Sequence, residues 1–213
     1  MAIPTISQEQ MVSALDQCYD LAVKGLPTSP TCKDLADQYL ERYKDLDTAV
    51  SKMIRAQVQK CTKSGFLTNI GGLITIPVAV PANLASVLYV QLRMIATIAV
   101  MGGYDPSDDE VQTMVYACLA GMSVTDVCKA AGIKVANKAT TNMILKRVSG
   151  ETLKKINKAV GFRLVTKAGS TGIINLTKMV PLLGGAVGAG VDYFGTKSIA
   201  KKAYKEFITE EVV

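Results

Sequence analysis

The chain has 213 residues, enough for one large domain or two small ones with a proper core. Hydrophobic residues make up 49% of it and mean hydropathy is +0.24, apolar for a soluble protein but short of a transporter's composition. It contains no His and no Trp, which removes His general bases, Ser-His and Cys-His nucleophile pairs and His-ligated metal sites.

The formal net charge of +6 conceals a division. Residues 1–128 hold 9 Lys and Arg against 13 acids, a net of −4, whereas residues 129–205 hold 15 against only Glu151 and Asp192, a net of +13. Such asymmetry points to an anionic partner, a membrane surface or a nucleic acid. Five cysteines (Cys18, Cys32, Cys61, Cys118 and Cys128) are scattered without C-x-x-C spacing. Their odd count and the lack of a secretory signal at the N-terminus point to a reducing, cytoplasmic compartment, with each thiol read as a small buried hydrophobe.

Taken in order, Ser7-Gln-Glu-Gln10 reads as a capping box, followed at helical spacing by Met11, Leu15, Cys18 and Ala22 up to Gly25. Ser29 reads as a cap ahead of Pro30 at the first helical position, opening a helix over 31–43. A third helix is predicted over 47–64, with Val50, Ile54, Val58 and Cys61 on one side. No charge then appears between Lys63 and Arg93. Pro77 and Pro81 interrupt this stretch, giving a short helix over 66–76, a turn, and a helix over 82–101 that is apolar nearly all round. The interruptions predict a buried core hairpin rather than a membrane span.

Asp105-Pro106, with Asp108, Asp109 and Glu110 in the first turn, predicts a helix running to 121. Ser123-Val-Thr-Asp126 opens another, with an apolar ladder at Val127, Ala131, Val135, Ala139 and Met143. Ser149 caps a basic helix bearing Lys154, Lys155, Lys158 and Arg163. A second apolar stretch, 169–195, precedes a last helix ending near 206–208 with Lys197, Lys201 and Lys205 at i, i+4, i+8. The stretches GGLITIP and MVPLLGGAVGAG echo each other too weakly to establish a duplication. No period-2 strand pattern is present, so the fold expectation is all-α, a single multi-helix domain of eight or nine helices around a central apolar, Gly/Pro-interrupted helical hairpin.

Several constellations carry less than they suggest. The run from Gly190 to Ser198 resembles a phosphate loop, but Thr196 separates Gly195 from Lys197 and no strand precedes it. Gly184 and Gly188 form a G-x-x-x-G that reads as close helix packing. Asp105, Asp108, Asp109 and Glu110 lack the alternating ligands of a calcium loop and read as a solvated helix start. No metal site and no cofactor is expected. Arg93 and Asp192, isolated in the two apolar stretches, are expected to pair, since a buried charge without a partner is strongly unfavourable.

Two segments, GFLTNIGGLITIPVAVPANLASVLYVQLRMIATIAVMGGYD and MVPLLGGAVGAGVDYFGTKSIAKKAYKEF, carry a resemblance to the EcsC protein family. The matching positions are Gly71, Gly72, Pro77, Pro81, Arg93, Pro181, Gly184, Gly185, Gly188 and Asp192. Val78-Ala79-Val80 stands where the family pattern often has an acid between the prolines, which puts an acidic site there in doubt. The resemblance implies a helical, cytoplasmic, membrane-associated protein and supplies no reaction.

The residues and the resemblance together lead to a non-catalytic peripheral protein at the inner face of the membrane. It would bind anionic lipid through Lys154, Lys155, Lys158, Lys197, Lys201 and Lys205. Two alternatives stand beside it. One is an enzyme on a lipid or hydrophobic substrate using carboxylate or Lys chemistry, with Asp192, Asp105 or a Lys as the acid-base group. The other is an accessory protein bound to a membrane transporter or another protein. Nucleic acid ranks lower, because the basic half has only Phe162, Tyr193, Phe194 and Tyr204 as aromatics.

Overall fold

The computed structural model describes residues 7–27, 29–62, 82–123, 126–127, 129, 150–169 and 185–209, with backbone alone at 61–62, 82–84, 165–169 and 185–194. These residues form seven helices and no strand, where eight or nine helices are expected. They are α1 (Gln8–Lys24), α2 (Cys32–Arg42), α3 (Leu46–Thr62), α4 (Ala82–Met101), α5 (Asp109–Leu119), α6 (Gly150–Gly169) and α7 (Gly185–Phe207). The helix predicted over 66–76, the Gly71-Gly72 pair, Pro77, Pro81, Pro181 and Gly184 lie outside the described residues, as does most of the apolar ladder after Asp126.

The first helix forms as its cap predicts. Ser7 Oγ accepts from the Gln10 amide at 3.2 Å, and Gln10 Oε1 accepts from the Ser7 amide at 2.8 Å. Two orphan donors are thereby satisfied reciprocally. Met11, Ala14, Leu15, Cys18 and Ala22 make its buried stripe. Gly25 ends it at φ 82, with the Ser29 carbonyl only 2.9 Å from where a Cβ would stand.

The second helix corrects the predicted cap. Thr31, not Ser29, is the N-cap: its hydroxyl accepts from the Asp34 amide at 2.9 Å, and the Asp34 carboxylate accepts from the Thr31 amide at 3.2 Å. Ser29 is occupied otherwise, exchanging both backbone hydrogen bonds with Leu26 in an isolated bridge. Pro30 therefore lies before the helix instead of opening it.

The helix after Asp105 also starts later than predicted, at Asp109. Asp105 Oδ1 accepts from the amide and hydroxyl of Ser107, closing a local turn, and the Pro106 carbonyl accepts from Tyr19 Oη at 2.8 Å. Ser123 and Asp126 do form the expected reciprocal cap.

Helix α4 organises the rest. Every residue from 85 to 99 is buried, and α1, α2, α3, α5 and α7 all pack against it. The near-uniform apolarity of α4 is therefore that of an enclosed core helix. Each large side chain buried here, such as Leu92, Ile95 and Ile98, contributes roughly 1.5–3 kcal/mol. α6 rests on α1 and α5. Two ends meet where Gly102 closes α4: a Cβ there would lie 2.2 Å from the Phe207 carbonyl of α7, and the Tyr104 and Phe207 rings stand edge to face at 5.3 Å. Among the described residues no helix is long and apolar enough to cross a membrane.

Candidate functional site

Two lysine-bearing helices and two polar clusters are the places where this fold presents chemistry. On α7, Lys197, Lys201 and Lys205 are exposed, while Thr196, Ala200, Ala203 and Phe207 are buried. A period of four residues keeps the three ammonium groups in one row along the outer side of the helix. Glu206 is buried and pairs with Lys202 at 3.4 Å.

On α6, Lys154, Lys155 and Lys158 are also exposed. Lys154 and Lys158, with Asn157, line an open groove of about 480 Å³ against α1, whose wall supplies Glu9, Ser13 and Asp16. The α6 lysines thus border carboxylates. The two helices share α5 as a neighbour, and Arg163 of α6 and Lys202 of α7 both act on Asp126. Hydrogen bonds from Ser123 and then these cations hold the Asp126 carboxyl below the usual aspartate range.

Asp16 is the carboxylate that sequence reasoning missed. It accepts from Tyr116 Oη at 2.8 Å and Gln112 Nε2 at 3.4 Å, and lines the α1–α6 groove. Burial raises its pKa, against the Tyr116 hydrogen bond that lowers it. In the sequence it is one of several acids on an ordinary amphipathic helix, and nothing local marks it. Asp105, proposed as an acid-base group, has its pKa lowered by Ser107, opposite to what a group holding a proton near neutrality needs. Asp192 lies in the backbone of α7, with its side chain outside the described residues. The expected Arg93–Asp192 pair therefore falls outside them too, as does any close packing at Gly185 and Gly188.

Arg93 is described, and its surroundings are unusual. It is 1% exposed at the heart of α4, where Nη2 donates to the Pro30 carbonyl at 2.8 Å and Nε has no partner. Burial opposes its charge and lowers its pKa, while Tyr89 and Cys32 favour the charged form. The hydroxyl of Tyr89, one turn earlier, is buried without a partner, and so are both polar atoms of the Gln57 amide on α3.

The cysteines behave as core. Cys18, Cys32 and Cys118 are buried and free; burial pushes Cys18 up to about 12 and Cys32 up to about 11. Among the described residues no group of His, Cys, Asp and Glu could hold a metal ion.

No curated protein and no solved structure matches this chain. A family model does, over residues 1–208, which takes in the enclosed helix α4 and the lysine row of α7. The chain belongs to the EcsC protein family.

Proposed function

We propose that this is a non-catalytic peripheral membrane protein that binds anionic lipid headgroups through the lysine row of α7. The observation that carries the reading is the outward stripe of Lys197, Lys201 and Lys205 on a helix whose opposite side is locked into the core. A helix presents three positive charges at fixed spacing, and α6 adds Arg163, which acts on Asp126 as Lys202 of α7 does. Each Lys or Arg held near an anionic bilayer contributes roughly 1 kcal/mol, so four or five give reversible attachment. Phe162, 58% exposed beside Arg163, supplies an apolar side chain suited to the headgroup region. The net of +13 over residues 129–205 makes the attraction long-ranged at low salt. A cytoplasmic location at the inner face, where anionic lipid is concentrated, fits this charge.

Flotation with liposomes tests it. The protein should rise with acidic vesicles at low salt, stay behind with neutral ones, and be largely released at high salt. No flotation with acidic vesicles at low salt ends the reading.

A second reading, an enzyme acting on a lipid or other hydrophobic substrate, is favoured by one observation. Asp16, its pKa raised by burial, shares an open groove with Lys154, Lys158 and Asn157. Turnover of vesicle lipid that is lost in Asp16→Asn would replace the first reading with this one.

A further inference from the structure

Helices α1 and α6 are joined at two points and leave a groove beside them. A Cβ at Gly161 would lie 2.7 Å from Val12 Cγ2, and the side-chain amide of Gln8 donates to the Lys158 carbonyl. The groove encloses about 480 Å³, a small-molecule size. Its two walls carry opposite charge. α1 lines it with Glu9 and Asp16, about 10 Å apart along the axis, and α6 with Lys154 and Lys158, about 6 Å apart. Among the described residues no ion pair bridges the two walls. Asp16 is steadied from α5: its hydrogen bonds from Tyr116 Oη at 2.8 Å and Gln112 Nε2 at 3.4 Å both end on Oδ1, which leaves Oδ2 for the groove. Asn157, between the two lysines on α6, adds a buried Oδ1 acceptor. A purely anionic ligand would be repelled by the α1 wall and a purely cationic one by the α6 wall. A ligand with an ammonium and an anionic group a few bonds apart is attracted by both.

We propose that the α1–α6 groove binds a phosphorylated primary amine, of which phosphoethanolamine is the simplest, with its ammonium on Asp16 and its phosphate on Lys154 and Lys158. Two features select this chemistry among zwitterions. Two lysines one turn apart can converge on one phosphate, whose unesterified oxygens accept from both. Among the described residues no aromatic side chain lines the groove, so nothing there suits the trimethylammonium of choline, which is recognised by cation–π contact. A primary ammonium instead brings three N–H donors, matched by the Asp16 carboxylate and the Asn157 oxygen. The same chemistry is offered by free phosphoethanolamine and by the headgroup of phosphatidylethanolamine. The assignment concerns binding and does not rest on the lysine row of α7.

NMR titration of the full chain with phosphoethanolamine at constant ionic strength tests this, with phosphocholine, ethanolamine and inorganic phosphate as comparison ligands. Phosphoethanolamine should give saturable shifts at Asp16 and Asn157. It should also lower the Asp16 pKa, because an ammonium beside a carboxyl favours the charged form. The comparison ligands should bind about tenfold more weakly or worse. Asp16→Asn and the double variant K154A/K158A should each weaken binding about tenfold while still folding, since these three side chains are exposed. The triple variant K197E/K201E/K205E should bind phosphoethanolamine as the wild type does even where it no longer floats with vesicles, so the two readings fail separately. For a headgroup ligand, acidic vesicles in which phosphatidylethanolamine replaces phosphatidylcholine hold the wild type to higher salt, and do not so hold Asp16→Asn. Equal release from both vesicles, with soluble binding intact, assigns the groove to the free compound. No saturable binding of phosphoethanolamine overturns the proposal. So does equally tight binding of inorganic phosphate, which would make the lysines a plain anion site, and so does an Asp16 pKa that phosphoethanolamine leaves unmoved.

Discussion

Single side chains inside this fold take their chemistry from burial more than from charge. Asp16 is held at a raised pKa by desolvation, while the Tyr116 hydroxyl donated to it pulls the other way. Between the ordinary aspartate value of about 4 and the higher folded value, the folded chain binds more protons than the unfolded one, so stability falls as pH rises through that window. Asp16→Asn should abolish this fall, measured as chemical unfolding across the acid range. Tyr116→Phe should move the Asp16 pKa higher still, measured by carboxyl NMR titration, because it removes the hydrogen bond that favours the ionised form. A lower value would show that the hydroxyl serves Gln112 instead. The thiols follow the same logic. Cys18, Cys32 and Cys118 carry pKa values raised by burial, so at pH 8 they should resist alkylation in the native protein and react on unfolding. Thiols as core was legible from their scatter in the sequence. The state of Asp16 was not, since the Tyr116 hydroxyl that meets it lies a hundred residues away.

At the scale of elements, local rules wrote most of the helices and tertiary contacts moved their ends. The box at Ser7 and Gln10 reads directly from four residues. At Ser29, Pro30 and Thr31 two cap residues compete. The bridge to Leu26 and the demand of Arg93 for the Pro30 carbonyl decide for Thr31, and neither partner is visible locally. Thr31→Ala should therefore cost about 1 kcal/mol, whereas Ser29→Ala should cost little. α4 read as central from its unbroken apolarity, and the five helices around it bear that out. The glycines at its end and in α7 separate packing from propensity. Gly102→Ala places a Cβ against the Phe207 carbonyl and should destabilise by about 2 kcal/mol or more. Gly195 has open space around its Cβ position inside α7, so Gly195→Ala should stabilise by about 0.5–1 kcal/mol. Thermal melts of the two variants should move in opposite directions. A fall in both would mean that α7 packs more closely at Gly195 than its surroundings show.

Across the whole molecule, the sequence divides into an acidic first part and a basic second part, and the fold gives that division a place. α6 and α7 bring the basic half onto α1, α3, α4 and α5, and α7 keeps its three lysines outward. The six lysines expected to bind anionic lipid stand on two helices with different surroundings. Lys154 and Lys158 border Glu9 and Asp16 across a groove, a neighbourhood set by how α6 lies on α1 and invisible in a one-dimensional charge count. We therefore propose the α7 row as the surface that binds anionic lipid. Exposed lysines contribute little to folding, so their charges can be reversed without unfolding the domain. The most direct measurement is flotation of two triple variants with acidic liposomes at low salt, each checked for a melt like that of the wild type. K197E/K201E/K205E should lose most vesicle binding, and K154E/K155E/K158E should keep the larger part of it. Undiminished flotation of the α7 variant would contradict the account and leave that row a solvated helix face.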